Sequence, residues 1–323
     1  MSFTKSDHFN GARFFNPEPP RYPVTGRRSG LLGLLRARWL GDQSVWAKWP
    51  KHIENLAYPL PDQKLPHVTW IGHSSFLLCL EGLNILTDPV FSERCSPVSW
   101  AGPKRVRAPG RTIEALPRID LILLSHNHYD HMDIPALRQI RQRFPQARLI
   151  TSLGNADFLA RKGLHQAVEL DWWEQLAVGD TLITATPARH FAARTLWDRN
   201  ETLWVGFMLN HRGRLVYFAG DTGYTSFFQD IHNRLGAPEL ALLPIGAYQP
   251  REMMASVHMD PEEAVKAYLD LHAHRAIGMH FGTFQLTGEP IDEPPQRLAA
   301  PLIENNIPPE RFFTLDVGES ALL

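Results

Sequence analysis

The sequence predicts an α/β chain in which two mixed sheets pack face to face with helices outside. Three observations lead there. Hairpin-type alternation comes first, strand–loop–helix units follow, and the same succession returns in the second half. No stretch between Val68 and Leu315 is poor enough in apolar residues to act as a linker, so residues 61–323 are read as a single domain. With 323 residues, 44% of them hydrophobic, the chain can bury a sizeable core.

Residues 1–60 read differently. Pro17, Pro19, Pro20 and Pro23, with Arg21, Arg27 and Arg28, favour an extended segment. Within it, Leu31, Leu35 and Trp39 fall four apart and would share one side of a helix over residues 30–50. Such a helix packs over the body or faces a membrane surface. From Val68, HVTWIGHSSFLLCLEGLNILTDPVF alternates around a Glu81-Gly82 turn and reads as a β-hairpin. IDLILLSHNHYDHMD is a buried strand running into a polar loop, followed by a helix over 134–144 and a strand over 148–152. Residues 176–218 break into several strands, and LALLPIG (240–246) is another. PEEAVKAYLDL should start a helix at Pro261, with Asp260 as its N-cap. AIGMHFG is a strand ending in a turn, and a helix over 295–305 and a strand over 311–315 complete the chain.

Charge and composition exclude several classes. With 34 acidic against 33 basic residues and a net charge of -1, there is no basic stripe to neutralise phosphates, so nucleic acid is not an expected partner. No apolar run reaches the ~18 residues of a membrane-spanning helix. The N-terminus, MSFTKSDHFNGARFF, lacks a secretory layout. A cytoplasmic protein is expected, with any attachment peripheral on the inner face of the membrane. Cys79 and Cys95 are the only cysteines, read as reduced thiols, which excludes a disulfide framework and a cysteine-based zinc site.

The chemistry concentrates in Ser125-His126-Asn127-His128-Tyr129-Asp130-His131. Three imidazoles and a carboxylate directly after an apolar strand have no packing purpose, because buried His and Asp cost free energy unless paired or metal-bound. Neutral imidazole and carboxylate are ligands for zinc and similar ions. Side chains two apart in an extended loop point the same way, so His126 and His128 can share one ion while Asp130 and His131 turn toward a second. Further ligands should stand at other strand ends: His190 in ATPARHF, Asp221 between Gly220 and Gly223, and His280 in AIGMHFG.

HNHYDH matches the HxHxDH signature of the metallo-β-lactamase-fold hydrolases, and His190, Asp221 and His280 follow in that superfamily's order. The resemblance implies a four-layer αβ/βα sandwich with the metals at one edge between the sheets. It implies that His126, His128 and His190 hold one ion, that Asp130, His131 and His280 hold the other, and that Asp221 bridges. The stretches WIGHSS, LTDPVFSERCSP, GPKR, LSHNHYDH, FAGDTGY, PIGAY, HMDPEEAV, GTF and VGES are similar to the N-acylphosphatidylethanolamine-hydrolysing phospholipase D family, over about Thr69 to Ser320. Residues 251–257 depart from that family, with Val257 where a polar neighbour of His258 is expected.

The resemblance thus implies a phospholipase D-type phosphodiesterase with two divalent ions, zinc foremost and manganese or iron as alternatives. A hydroxide shared by the ions would attack phosphorus in a (N-acyl)phosphatidylethanolamine-like lipid, releasing a phosphatidate-like monoester and an alcohol. Asp130, His73 and His258 are the candidate catalytic residues beside the ions. His73 is expected to bond a ligand carboxylate such as Asp88 or Asp221, and His258 to meet the phosphate or leaving oxygen. Asp88 is read as orienting His128 or capping a turn. The alternative activity is a lactonase or other ester or thioester hydrolase, since the same nucleophile attacks carbonyls. A redox di-iron role is disfavoured because His128 stands where such proteins carry Glu. The expected partners are a lipid or small phosphodiester substrate, a membrane surface through the N-terminal segment, and a second copy in a homodimer. Lys104, Arg105 and Arg107 are read as a solvated basic loop, and the remaining histidines (His8, His52, His67, His165, His211, His232, His272, His274) as surface residues.

Overall fold

The computed structural model describes residues 3–19 and 47–323. The helix expected around Leu31, Leu35 and Trp39 lies outside the described residues. Among the described residues the strands form two seven-stranded mixed sheets, each beginning as an antiparallel meander and continuing parallel. In the first, β1 (His67–Gly72), β2 (Ser75–Leu80) and β3 (Leu83–Thr87) lead to β4 (Leu121–Leu124), β5 (Arg148–Ser152) and β6 (Val168–Leu170). In the second, β7 (Gln175–Val178), β8 (Thr181–Thr186), β9 (Gly206–His211) and β10 (Arg214–Phe218) lead to β11 (Leu240–Pro244), β12 (Arg275–Met279) and β13 (Phe312–Phe313). The last strand, β14 (Ser320–Leu322), returns to pair antiparallel with β1.

Parallel neighbours need crossover connections, and helices supply them. They are α1 (Ile134–Arg143), α2 (Ala156–Arg161), α3 (Phe227–Leu235), the short α4 (Arg251–Met254), α5 (Pro261–Asp270) and α6 (Glu293–Glu304). Alternation along the strands divides the core in two. Phe76, Leu78, Ile85, Leu121 and Leu123 face the second sheet in one cluster, whereas Leu77, Leu86, Ile122 and Leu124 face α1 and its Leu137 and Ile140 in another. A strand buried on both sides, such as LILL in β4, therefore needs no polar residue until it ends. Among the described residues no helix is long and apolar enough to cross a membrane.

Most expected elements form within a residue or two of their predicted bounds. The Glu81-Gly82 turn has φ of 49° and 90°, the left-handed pair that a two-residue hairpin requires. Asp260 caps α5 by accepting from Glu263 N. The last helix starts earlier than expected, at Glu293, because its first turn tolerates the prolines. Elements not anticipated are the short α2, α3, α4, β6 and β14. All but α3 are brief, so tertiary contact decides them, whereas α3 is amphipathic and buries Phe228 and Ile231.

Side chains from the ends of β1, β3, β4, β8, β10 and β12 gather at one place, and the chain bends sharply there. His73, Asp88 and His280 adopt φ of 55°, 33° and 64°, a region costly for residues with a Cβ and concentrated at functional sites. Gly220 (φ 61°) lies so close to β4 that an added Cβ would stand 2.7 Å from Ser125 Cβ. At Gly246 an added Cβ would fall 2.3 Å from the His280 carbonyl oxygen.

Asp133 joins this edge to α1. It caps the helix at Ala136 N (3.2 Å) and also accepts from Phe91 N (3.0 Å), Ser92 N (2.7 Å) and Ser92 Oγ (2.8 Å). Asp133→Ala should cost about 2–4 kcal/mol of stability, a lost cap plus orphaned donors, read as a lowered urea midpoint with unchanged slope.

Candidate metal centre

All seven expected ligands converge at that edge, together with His73 and His258. His126 and His128 follow β4 and bring Nε2 and Nδ1 to 2.8 Å, with His190 Nε2 at 3.2 Å from the same Nδ1. After His128 the backbone turns, Met132 N donating to His128 O at 2.8 Å, and this swings Asp130 and His131 to the other side. There Asp130 Oδ2 lies 3.4 Å from both His131 Nε2 and His280 Nε2. Asp221 Oδ2 stands between the groups, 3.1 Å from His131 Nε2, 3.0 Å from His280 Nε2 and 3.7 Å from His190 Nε2.

These side chains fit divalent cations. Ligand atoms ~2.0–2.1 Å from a tetrahedral ion stand roughly 3.3 Å apart, which is the spacing seen. His131 Nε2 and His280 Nε2 have short oxygen neighbours yet make no well-directed hydrogen bond, and Asp221 Oδ1 is equally buried without one. Lone pairs aimed at a shared point are what a cation satisfies and a hydrogen-bond network does not.

The electrostatics agree. Burial, then the neighbouring imidazoles, push His126 well below its usual range, and burial then His190 push His128 down to about 3. Burial likewise lowers His190 to about 4, against the pull of Asp221. These three are neutral, ligand-ready imidazoles. Against burial, His131 holds both Asp130 and Asp221 well below the carboxylate range. Against burial too, Asp221 and Asp130 raise His280 to about 9 and His131 well above its usual value. The two carboxylates thus favour positive charge at this point, and a bound divalent cation would supply it in place of protons.

The supporting groups differ from expectation in part. Asp88 orients His131 rather than His128. Its Oδ2 bonds His131 Nδ1 at 2.7 Å and Ser125 Oγ at 2.6 Å, while Oδ1 accepts from Ser125 N at 2.7 Å. His73 bonds Asp130 Oδ2 at 3.0 Å, not Asp88 or Asp221, and its ring lies 4.1 Å from that of His280. Its left-handed turn aims it at the nearer carboxylate. His258 is buried with Nδ1 3.9 Å from Asp221 Oδ2, and His190 Nδ1 donates to Val257 O at 2.9 Å.

Three histidines expected at the surface are buried. His8 bonds Asp171, His67 bonds Leu65 O, and His211 bonds Thr181 Oγ1. Nor is Arg105 solvated. Its guanidinium donates to Val90 O and Ser92 O and covers the Phe284 ring, and burial lowers it to about 10. Arg194 carries no signal in the sequence, yet its Nη1 donates to Asn127 O (2.6 Å) and Met132 O (3.0 Å), pinning the ligand loop from behind. Only its place in the fold reveals that.

Comparison with known proteins agrees with this architecture. Residues 83–281 match the Beta-lactamase superfamily domain. Over 263 residues the chain is 38% identical to the N-acyl-phosphatidylethanolamine-hydrolyzing phospholipase D 1 of Caenorhabditis elegans, covering 78% of this chain and 74% of that one. It is 39% identical over 255 residues to the mitochondrial N-acyl-phosphatidylethanolamine-hydrolyzing phospholipase D of Saccharomyces cerevisiae, covering 76% of this chain but only 54% of the yeast protein. A solved metallo hydrolase from Ignicoccus hospitalis is similar with a TM-score of 0.60 at 25% identity, over 80% of this chain and 98% of its own. Fold, buried imidazole–carboxylate cluster and relatives together make the chain a member of the beta-lactamase superfamily and a metal-dependent hydrolase.

Proposed function

We propose that this hydrolase is a dinuclear phosphodiesterase of phospholipase D type, acting on a (N-acyl)phosphatidylethanolamine-like lipid. The observation that carries the reading is Asp221, whose single Oδ2 lies within 3.0–3.7 Å of imidazoles belonging to two separate ligand groups. One group is His126, His128 and His190; the other is Asp130, His131 and His280, with His73 alongside. Two relatives named for N-acylphosphatidylethanolamine hydrolysis support the choice of substrate.

When bound, two divalent ions, zinc in the first place, would supply a nucleophile at neutral pH and Lewis-acid stabilisation of a phosphodiester's developing charge. The chain's own groups do the rest. Asp88 holds His131 by Nδ1 and the Val257 carbonyl holds His190 by Nδ1, so each presents its Nε2 lone pair inward. His73, a neutral imidazole pushed down to about 3 chiefly by burial, donates Nε2–H to Asp130 and fixes which carboxylate oxygen faces the site. His258, near Asp221 and His190, is placed to hydrogen-bond a phosphoryl or leaving oxygen. Attack of water oxygen on phosphorus breaks the bond to the distal alcohol, which leaves with a proton, and the lipid side keeps the phosphate monoester.

His128, Tyr129 and Asp130 are half-buried, so the cleft opens on their side, where the Phe191 ring meets His128 at 4.5 Å. Leu196 and Trp197 stand exposed on the loop anchored by Arg194. An apolar rim beside a cationic centre suits a lipid whose phosphate must reach the ions.

Three outcomes test the reading. Asp221→Ala should lower metal content below two ions per chain and reduce phosphodiester turnover by more than about a hundredfold, the upper range for loss of a mere supporting partner. Near-normal rates would refute the bridging role. Given a lipid phosphodiester and an acyl lactone side by side, the purified protein should hydrolyse the former; turnover of the lactone alone would transfer the assignment to the lactonase alternative. Replacing Leu31, Leu35 and Trp39 by Ser should slow vesicle-borne lipid severalfold while sparing a soluble nitrophenyl phosphodiester. Equal losses on both would mean that the segment serves the fold and not a membrane.

A further inference from the structure

We propose that the N-terminal strap, residues 3–19, is a working part of the metal centre, with Asn16 and Glu18 positioning the His190 ligand and the turn that carries His258. The proposal rests on the metal-centre reading above. The strap is firmly seated. Phe9 and Phe14 are buried in the core between the sheets, Phe14 N donates to Asn200 O at 2.8 Å, and His8 stacks on Trp172 with ring centres 4.2 Å apart.

From that anchorage the chain runs to the site. Asn16 Nδ2 donates to the backbone carbonyl of His190 at 2.9 Å. Two residues later, Glu18 Oε2 lies 3.2 Å from Arg189 Nη1, and Glu18 Oε1 accepts from Ser226 Oγ (2.5 Å) and Ser226 N (3.2 Å). Arg189 in turn donates Nη2 to Pro19 O at 2.5 Å and Nε to Ser256 O at 3.3 Å. One carboxylate and one guanidinium thereby tie together the residue before His190, the segment five residues beyond Asp221, and the turn two residues before His258.

The energetics favour a built device over a chance contact. The Arg189 side chain is only 6% exposed, and a charge so buried requires a partner, which Glu18 supplies. His190 is then held at both ends, its backbone carbonyl by Asn16 and its ring Nδ1 by Val257 O, whose neighbour Ser256 is itself held by Arg189. Outer partners of this kind change metal affinity by about 10–100-fold. Among the described residues no hydrogen bond from the strap reaches Asp130, His131 or His280, so the effect should fall on one ion of the two.

The test uses the full chain as wild type, Asn16→Ala, Glu18→Gln, Glu18→Asp and Arg13→Ala. Arg13 anchors the same strap through the carbonyls of Arg199 and Trp197 and the Glu201 carboxylate, seven or more residues beyond His190 on the loop that follows it, and bonds none of the candidate ligands. Zinc affinities come from competition with a chromogenic chelator, site geometry from the visible spectrum of the cobalt(II) form, and stability from thermal melting. Asn16→Ala and Glu18→Gln should weaken one ion by about tenfold or more, leave the other in place and shift the cobalt bands, with partial recovery in Glu18→Asp. Arg13→Ala should lower the melting temperature and leave both ions bound. Unchanged affinities and spectra in Asn16→Ala and Glu18→Gln, or losses of both ions that merely follow melting temperature as Arg13→Ala does, would overturn the proposal. A wild-type chain that takes up no divalent cation would overturn the metal-centre reading itself, and this inference with it.

Discussion

The structure depends on an arrangement that would be unstable in any ordinary protein interior. His126, His128, His131, His190, His258, His280, Asp130 and Asp221 share one small region, most of them nearly inaccessible to water. Desolvation penalises each charge, and neutral imidazoles brought lone pair to lone pair do not satisfy one another. Only positive charge at the centre makes the cluster favourable. The opposed shifts along it, His128 down to about 3 and His280 up to about 9, show the neutral and charged parts of that single requirement.

The fold is organised to meet it. Ligands that converge on a point cannot come from one strand, so the two sheets lend their carboxyl ends, where loops leave the core and side chains turn inward. Backbone conformations that cost energy gather there, at His73, Asp88 and His280. Glycines clear the approach, Gly220 against β4 and Gly246 against the His280 carbonyl. Around this, Asp88, Arg194 and Asp133 hold loops by hydrogen bonds to backbone atoms, and Asp88 also holds the His131 ring by its Nδ1.

How legible this was depended on distance along the chain. The His126–His131 run announced itself because four ligand-type side chains sit within six residues after an apolar strand. His190, Asp221 and His280 could be found because each follows a strand and meets a turn, a pattern that survives without knowing the topology. Partnerships were harder. Which residue Asp88 would orient depended on the turn after His128, since that turn carries His131, not His128, toward it. The burial of His8, His67 and His211 is hidden for a similar reason: His67 and His211 each meet one oxygen, and His8 joins its neighbour Asp7 to Asp171 far along the chain. Arg105 reads as a solvated base until Phe284 and two carbonyls are brought around it.

The same logic separates what the ligand set decides from what the rim decides. On the proposed dinuclear reading, seven ligands would make water reactive but would treat phosphorus and carbonyl carbon alike. Choice between them would then reside among side chains that the metals do not need: His258, Phe191 and the loop bearing Leu196 and Trp197. His258 is the pivotal member, because its turn is tethered through Ser256 to Arg189 and so to the strap that also grips His190. On the proposed reading, metal geometry and substrate contact would be coupled through this shared backbone. A chain that altered residues 251–257 to accept another headgroup would then alter the support of His190 at the same time, so specificity would change under the constraint that the ions stay bound.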